Sequence, residues 1–336
     1  MTGEQYDPFL LRERKDMYRI GIDLGGTNIA VGLVNEKYQI VSKDSAPTRA
    51  LESTAEEIAD KMVELCLGVC QSAGVLLSDV EAIGVACPGA VDTIKGVVGY
   101  CNNFSFEQFP VVELLRSKTG IENVHAENDA NAAAWGEAIA GAARGTKSSV
   151  MITLGTGVGG GVVTDGKLLS GFNFAGGELG HMVIEKNGVP CTCGRRGCWE
   201  AYSSATALIR MTKEKIEECH EAGRKTLMAG LVAKRGKING LTAFDAMRAG
   251  DAAACEVVDE FVSYLATGVT NIINIFEPEV LSIGGGVSGE GETLLSPLRV
   301  IVERERYGAG LVEAPRLCVA ALGNDAGIIG AAFLGI

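Results

Sequence analysis

A strand, a glycine-rich turn and a second strand occur twice in this chain, and this repeat limits the possible folds more than any other feature. The first copy runs from Tyr18 to Val34 and the second from Ser149 to Val163. In both copies β-branched residues lead into Leu-Gly, small residues follow, and a second β-rich stretch completes a hairpin. Two similar hairpins so far apart predict a duplicated domain. A chain of 336 residues also exceeds what one hydrophobic core usually sustains, which favours two domains.

Strand and helix patterns alternate after each hairpin, as expected of an α/β fold. After the first hairpin the patterns predict helices at 53–73, 111–117 and 129–143 and strands at 80–87 and 123–126. After the second they predict helices at 201–222, 242–248, 252–276, 292–306 and 325–334 and strands at 280–283 and 319–322. No low-complexity linker separates the halves, so we expect structured elements to join them, mainly the helix that begins at Asp129.

Composition and charge exclude several classes of protein. A formal net charge of −12 disfavours nucleic-acid binding, which requires a basic face. The stretch from Met1 to Asp16 is polar and lacks the apolar segment of a signal peptide. No apolar run is long enough to span a bilayer. We therefore expect a cytoplasmic protein with reduced thiols and with neither a nucleic-acid nor a membrane partner.

Three of the ten cysteines lie close together at Cys191, Cys193 and Cys198, and His181 precedes them. Three thiolates and one imidazole form a closed tetrahedral ligand set for zinc, which would stabilise the loop without activating water. Glycines within the segment suit a chain that bends around an ion. The alternative is three core cysteines that are neighbours by coincidence, and the tight spacing favours zinc over it.

Three glycine-rich loops could expose backbone N–H groups to a polyphosphate. They contain Gly25, Gly26, Thr27 and Asn28 in the first hairpin, Gly155, Thr156 and Gly157 in the second, and Gly284, Gly285 and Gly286 after the predicted strand at 280–283. Each loop alone is compatible with a plain turn. The two hairpin turns are related by the duplication, however, and together they favour phosphate binding. Neither hairpin turn is a P-loop, and neither continues directly into a helix as a dinucleotide fingerprint does.

Polar residues at two other places are candidate ligands. Asn128 and Asp129 lie where a predicted strand meets a predicted helix, so they either cap the helix or face a cleft. Asn103 follows another asparagine in a predicted loop, where paired amides suit a polyol but are equally compatible with a turn.

Together these motifs resemble the ROK family of sugar kinases and repressors, and most closely its bacterial glucokinases. The resemblance runs from Tyr18 to the end of the chain and includes the segments at 23–28, 127–129, 154–161, 177–181, 191–200 and 284–286. It implies a duplicated α/β fold of the actin/hexokinase (ribonuclease H-like) type, with two domains and an interdomain cleft. We expect a smaller domain of residues 1–126 plus 318–336, and a larger domain of residues 127–317 that carries the zinc site.

The resemblance also implies which residues bind which ligand. ATP would place its phosphates near Gly25, Gly26, Thr27, Asn28, Gly155, Thr156 and Gly157, and its adenosine near Gly284, Gly285 and Gly286. The sugar would contact Gly89, Asn103, Asn128, Asp129, Glu178, His181 and Glu200. By the same likeness zinc would be bound by His181, Cys191, Cys193 and Cys198.

Phosphoryl transfer to a hydroxyl depends mainly on positioning and on charge neutralisation. Asp129, near the acceptor hydroxyl, would orient it and accept its proton as the catalytic base. Asp23, on the strand that enters the first glycine turn, would organise Mg²⁺ through its waters. Glu178 and Glu200 would accept hydrogen bonds from sugar hydroxyls, which is how such a site distinguishes epimers.

The predicted reaction is the ATP-dependent phosphorylation of glucose to glucose 6-phosphate. N-acetylmannosamine, N-acetylglucosamine, mannose and fructose are alternative acceptors, because Ser105 and Phe106 depart from the family's usual Trp-containing loop. Polyphosphate is an alternative donor. A sugar-responsive repressor is disfavoured, because the residues before Tyr18 are too few for a winged helix-turn-helix. Family likeness further suggests a homodimer.

Overall fold

The computed structural model describes residues 17–100 and 107–336. The first half contains β1 (Tyr18–Leu24), β2 (Asn28–Asn35), β3 (Ile40–Pro47), α1 (Ala55–Ala73), β4 (Val80–Cys87), β5 (Ala90–Asp92), β6 (Val97–Tyr100), α2 (Val111–Thr119), β7 (Val124–Asn128) and α3 (Asp129–Ile139). The second half contains β8 (Ser149–Leu154), β9 (Val158–Thr164), β10 (Lys167–Leu168), α4 (Glu200–Ser203), α5 (Ala205–Glu221), α6 (Leu227–Arg235), α7 (Thr242–Arg248), α8 (Ala252–Phe276), β11 (Val280–Gly284), α9 (Glu292–Glu305), β12 (Arg316–Val319) and α10 (Ala326–Ala332).

Two five-stranded sheets repeat the same arrangement. The first has the strand order β3-β2-β1-β4-β7 and the second the order β10-β9-β8-β11-β12. In each sheet the two hairpin strands pair antiparallel. The first hairpin strand is the central strand of the sheet, and on its other side it pairs parallel with a later strand, β1 with β4 and β8 with β11. The matching order confirms the duplication that the two hairpins predict.

The C-terminal helix α10 covers the first sheet at very short range. Gly21 of β1 and Gly84 of β4 lie directly under it, and a Cβ atom on Gly84 would be 1.7 Å from the carbonyl oxygen of Ala331. Only glycine permits this approach of strand and helix backbones. The same helix packs against α3, which also contacts β8 and β9 of the second sheet. The helices α3 and α10 therefore lie between the two sheets and join them.

Most predicted elements are present, with local differences. The predicted helix at 201–222 is two helices, because Ser204 has extended backbone and caps α5 by accepting a hydrogen bond from the N–H of Ala207. The helix predicted at 129–143 ends at Ile139. The strand predicted at 319–322 is wrong in position, since β12 covers 316–319. The elements β3, β5, β6, β10 and α6 were not predicted.

The expected domain boundaries remain a prediction. Two contacts are relevant to them. Consistent with the expected smaller domain, α10 packs on the first sheet. However, β12 pairs with β11 of the second sheet, so a boundary at 318 would fall inside a strand. Among the helices of the described residues, none is both long and apolar enough to cross a bilayer.

Candidate functional site

A polar cleft of about 920 Å³ opens where the two halves meet. One group of lining residues comes from the first half and from α3: Asp23, Gly89, Ala90, Asn128, Asp129, Ala130 and Ala133. A second group comes from the hairpin β8–β9 and the segment after it: Met151, Thr153, Gly155, Thr156, Gly157, Val158, Gly159, Gly160, Gly176, Gly177, Glu178, His181, Thr192, Cys193 and Glu200. Gly285, Gly323, Asn324, Ala326 and Gly327 complete the lining.

The end of β7 and the start of α3 place two of the predicted site residues. The side-chain oxygen of Asn128 accepts hydrogen bonds from the N–H groups of Ala130 at 2.9 Å and Asn131 at 3.1 Å, which caps α3. Its amide nitrogen donates to the carbonyl oxygen of Gly89 at 3.0 Å. Asn128 is thus both a helix cap and a cleft residue, and it fixes the neighbouring Asp129 at the N-terminus of the helix.

Asp129 carries its carboxylate into the cleft. One oxygen accepts a hydrogen bond from the N–H of Ala130 at 2.8 Å. The removal of water by surrounding protein raises the pKa of Asp129, and the charge of Glu178 raises it further, although the N–H of Ala130 acts against both. A carboxylate with a raised pKa is a better proton acceptor than an ordinary aspartate, so Asp129 has the chemistry of a general base.

Asp23 lies on β1, close enough to Asp129 for the two charges to interact. Burial raises the pKa of Asp23 to about 6, the charge of Asp129 contributes in the same direction, and the charge of Lys43 opposes both. Lys43 in turn forms a salt bridge with Asp325. Two carboxylates that repel each other in a polar cleft favour the binding of a cation between or beside them.

Neighbouring residues hold the turn of the second hairpin in place. The N–H of Ala205, at the start of α5, donates to the carbonyl oxygen of Gly155 at 2.8 Å, and the Thr206 hydroxyl donates to that of Thr156 at 2.7 Å. Glu200 accepts a hydrogen bond from the N–H of Val158 at 3.0 Å. The expected phosphate turn and an expected sugar ligand are therefore in direct contact.

Two acidic side chains and a histidine from the segment after β10 also line the cleft. Glu178 precedes a short 3₁₀ turn that ends at His181. Gly180 within that turn packs on β9 so closely that a Cβ atom would be 2.1 Å from the carbonyl oxygen of Val158. The other carboxylate oxygen of Glu200 is 3.4 Å from the hydroxyl of Thr192. These acidic groups face the cleft as hydrogen-bond acceptors.

The predicted zinc ligands are close together in space. The ligand atoms of His181, Cys191, Cys193 and Cys198 all lie within 4.8 Å of one another. Nδ1 of His181 is 3.6 Å from Sγ of Cys191, and the sulfurs of Cys193 and Cys198 are also 3.6 Å apart. Two sulfurs on one tetrahedral zinc, with bonds of about 2.3 Å, lie about 3.8 Å apart. The four side chains therefore have the spacing that a tetrahedral metal requires.

The thiols differ in how readily they ionise. Burial raises the pKa of Cys191 and raises that of Cys198 to about 12, whereas the backbone N–H of Arg195 lowers the pKa of Cys193. Metal binding would have to displace the protons of Cys191 and Cys198, so the metal affinity of this cluster should increase with pH.

Some predicted site residues lie elsewhere or outside the described residues. Among the residues that the structure describes, the cleft lining does not include Gly25, Gly26, Thr27, Asn28, Gly284 or Gly286. The first turn is instead held by Thr48, whose hydroxyl donates to the carbonyl oxygen of Gly25 at 2.6 Å. Asn103 lies outside the described residues.

Sequence reasoning assigned no role to several residues that shape the site. Gly323 and Asn324 line the cleft, and the available signal was a short glycine and asparagine turn after a predicted strand. Glu127 is buried and accepts hydrogen bonds from the side chains of Asn131 at 3.1 Å and Ser170 at 3.1 Å. Its role depends on a contact between distant segments, which the sequence pattern does not reveal.

Comparison with known proteins identifies the family. The model of the ROK family matches residues 19–336. A glucokinase of Thermotoga maritima is 40% identical over 314 residues, which cover 93% of this chain and 95% of that protein. The crystal structure of a ROK family glucokinase from Streptomyces griseus in complex with glucose and AMPPNP has a TM-score of 0.78 at 34% identity, covering 94% of this chain and 98% of that one.

A ROK hexokinase from Thermus thermophilus gives a TM-score of 0.77 at 35% identity, with 94% of this chain and 97% of that chain covered. These structural matches confirm the expected two-domain fold of the actin/hexokinase type, in which the cleft lies between duplicated α/β units. From its family match and its relatives alike, the chain belongs to the ROK family.

Proposed function

We propose that the protein phosphorylates glucose with ATP, giving glucose 6-phosphate and ADP. The observation that carries this proposal is Asp129, whose carboxylate has a raised pKa and lies in a polar cleft beside Asp23. The similarity to glucokinases, one of them bound to glucose and AMPPNP, supports the choice of substrates.

Asp129 is proposed to accept the proton of the attacking hydroxyl while that oxygen bonds to the γ-phosphorus. The bond between the γ-phosphorus and the bridging oxygen breaks, and ADP leaves with the electron pair. Because α3 fixes the Asp129 backbone, the carboxylate needs little rearrangement to meet a bound sugar.

Asp23 is proposed to hold Mg²⁺ through water molecules. Its carboxylate suits this ion because it lies in a cleft with a second carboxylate, Asp129, and both have pKa values raised by burial. A bound Mg²⁺ would neutralise phosphate charge during transfer. Thr156 and Gly157, in the turn held by α5, would contact the phosphates through backbone N–H groups.

Sugar recognition is proposed to fall to Gly89, Asn128, Glu178, His181 and Glu200, which all line the cleft. Acidic acceptors suit a polyol, because each hydroxyl can donate to a carboxylate oxygen. The match between acceptors and hydroxyls would give selectivity, since an epimer leaves a buried acceptor without its donor.

Zinc is proposed to occupy the cluster of His181, Cys191, Cys193 and Cys198. The mutual separations of the ligand atoms fit a tetrahedral ion, and four protein ligands leave no open position for catalysis. A bound zinc would crosslink the segment that presents His181 and Glu200 to the cleft. Its chemical role is structural, and the proton transfer stays with Asp129.

Replacement of Asp129 by Asn tests the proposal. Turnover of glucose with ATP should fall by a factor of about 10² to 10⁴, because the amide cannot accept the proton. The sugar dissociation constant should stay within about tenfold, because Asn still hydrogen-bonds. Asp165→Asn, in the exposed turn after β9, is the matched control and should retain wild-type turnover. Near-normal turnover in Asp129→Asn would remove this residue from the base role.

The acceptor and the donor are tested together. A coupled assay with glucose, mannose, fructose, N-acetylglucosamine and N-acetylmannosamine, each with ATP and with polyphosphate, should give the highest kcat/KM for glucose with ATP. A higher value for another pair would reassign the substrate while keeping the kinase chemistry. The cytoplasmic location and the homodimer remain predictions, and sedimentation of the purified protein decides the second.

A further inference from the structure

Glu137 is a buried carboxylate that the proposed reaction does not use. It lies on α3, the helix that begins with Asp129, and only 1% of its surface is exposed. Its oxygens accept hydrogen bonds from three backbone N–H groups: Ala142 at 2.6 Å, Ala321 at 3.0 Å and Leu322 at 2.7 Å. Burial of a charge is costly, so a carboxylate in this position requires these donors, and they in turn are held by it.

Two of these donors belong to the crossing between the sheets. The chain leaves the second sheet at Val319, the end of β12, and enters α10 on the first sheet at Ala326. At the start of the crossing, the N–H of Ala320 donates to the carbonyl oxygen of Ile283 at 2.9 Å. Glu137 binds the next two residues, so the crossing is fixed both to β11 and to the helix of the catalytic aspartate.

The crossing then forms part of the cleft next to Asp23. Gly323 and Asn324 line the cleft directly after the two bound residues. Further along, Gly327 lies so close to Asp23 that a Cβ atom there would be 3.1 Å from a carboxylate oxygen. Between them, Asp325 forms the salt bridge with Lys43. The position of the segment 323–327, which includes the start of α10, therefore determines the surroundings of Asp23.

We propose that Glu137 is a positioning residue for the phosphate-donor side of the cleft. It acts by holding the 321–322 backbone so that the segment 323–327 meets Asp23 and the nucleotide. The inference rests on the proposed function, because that function assigns Asp23 and its neighbours to the Mg-nucleotide. Glu137 contacts no cleft ligand itself, and its effect passes through Gly323, Asn324 and Asp23.

Glu137→Gln tests this role, because an amide keeps the shape of the side chain but has a single acceptor oxygen. At least one of the three N–H groups then faces an NH₂ group, and the 321–322 backbone loses part of its anchor. The dissociation constant for MgADP, measured by calorimetry, and the KM for MgATP should both rise by about ten- to hundredfold. The KM for glucose should change by less than about threefold.

Trp135→Phe is the matched control. Nε1 of Trp135 donates to the carbonyl oxygen of Phe333 at 2.9 Å, so it also joins α3 to the C-terminal segment, but beyond α10 and away from the cleft lining. This variant should lower the melting temperature without changing MgADP affinity. If Glu137→Gln changes the melting temperature alone, or raises both KM values equally, the positioning role is wrong.

Gly141→Ala displaces the Glu137 carboxylate without changing its chemical group. It is the test variant if Glu137→Gln does not fold. A Cβ atom on Gly141 would lie 2.2 Å from a carboxylate oxygen of Glu137, so the side chain must move. This variant should also weaken MgADP binding selectively, and unchanged MgADP affinity in it would contradict the proposal. If the wild type binds MgADP but phosphorylates no sugar, the proposed function fails, whereas the affinity ratios still decide the role of Glu137.

Discussion

The cleft is an electrostatically unfavourable position for the ionised side chains of Asp23 and Asp129. Both lose water to the surrounding protein, and the charge of Asp129 adds to the rise in the pKa of Asp23. A bound cation would relieve this repulsion, so the groups that suit the ligand destabilise the ligand-free protein.

We expect Asp23→Asn to stabilise the protein while it disables the reaction. The folded-state pKa of Asp23 is about 6, above the ordinary value of 3.8 for an aspartate, so full ionisation costs about 3 kcal/mol of folding free energy. This cost is nearly complete above about pH 7, declines as the pH falls below 6, and is lost only below pH 3.8, where both states bind the proton. The melting temperature of the variant should therefore exceed that of the wild type by roughly 2–4 °C at pH 8, and the gap should shrink to about a third of that value near pH 4.5.

Differential scanning calorimetry at the two pH values measures this gap. Asp165→Asn, in an exposed turn, should show no such difference. A melting temperature of Asp23→Asn that lies below the wild-type value at pH 8 would mean that Asp23 makes a net stabilising contact with Lys43.

Sequence patterns predict the residues whose role is local and miss those whose role is created by tertiary contacts. Asn128 and Asp129 were found because the end of a strand and the start of a helix are visible in the sequence. The sequence indicates only that Glu137 is a polar residue on an Ala-rich helix, because its hydrogen-bond donors Ala321 and Leu322 come from the far end of the chain.

At the level of elements, agreement follows the strength of the apolar pattern. The helices α7 and α8 have the predicted bounds, and the buried face of α8 is strongly periodic. The edge strand β3 was missed, since five of its eight residues are exposed and four are polar. The helix α6 was missed because only Met228 is buried and a glycine lies within it.

The loop held by the cysteine cluster is expected to depend on its metal. Cys193→Ser removes one of four ligands, so zinc should be lost and the sugar KM should rise by about tenfold or more, because His181 and Glu200 lose their support. Cys255→Ser, on α8 and outside the cluster, should keep its zinc. Plasma emission spectroscopy of the purified proteins measures the metal content. Wild-type protein without zinc would contradict the assignment.

For the molecule as a whole, two glycine substitutions should have opposite effects on stability. Gly84→Ala forces β4 against the Ala331 carbonyl of α10 and should lower the free energy of unfolding by about 3 kcal/mol or more. Gly230→Ala, within exposed α6 and with no atom within 4 Å of its new Cβ, should raise it by up to about 1 kcal/mol. Urea unfolding measures both. If both substitutions changed the free energy of unfolding by the same amount, α10 would be able to shift away from the first sheet with little loss of stability.

The packing of α10 on the first sheet has a consequence for folding during synthesis on the ribosome. All strands of the second sheet lie between Ser149 and Val319, so that sheet is complete before α10 emerges. The first sheet leaves the ribosome earlier, yet Gly21 and Gly84 stay uncovered until Ile328 and Ala331 have been translated. The half of the protein that is made first therefore cannot finish folding until the end of the chain is available.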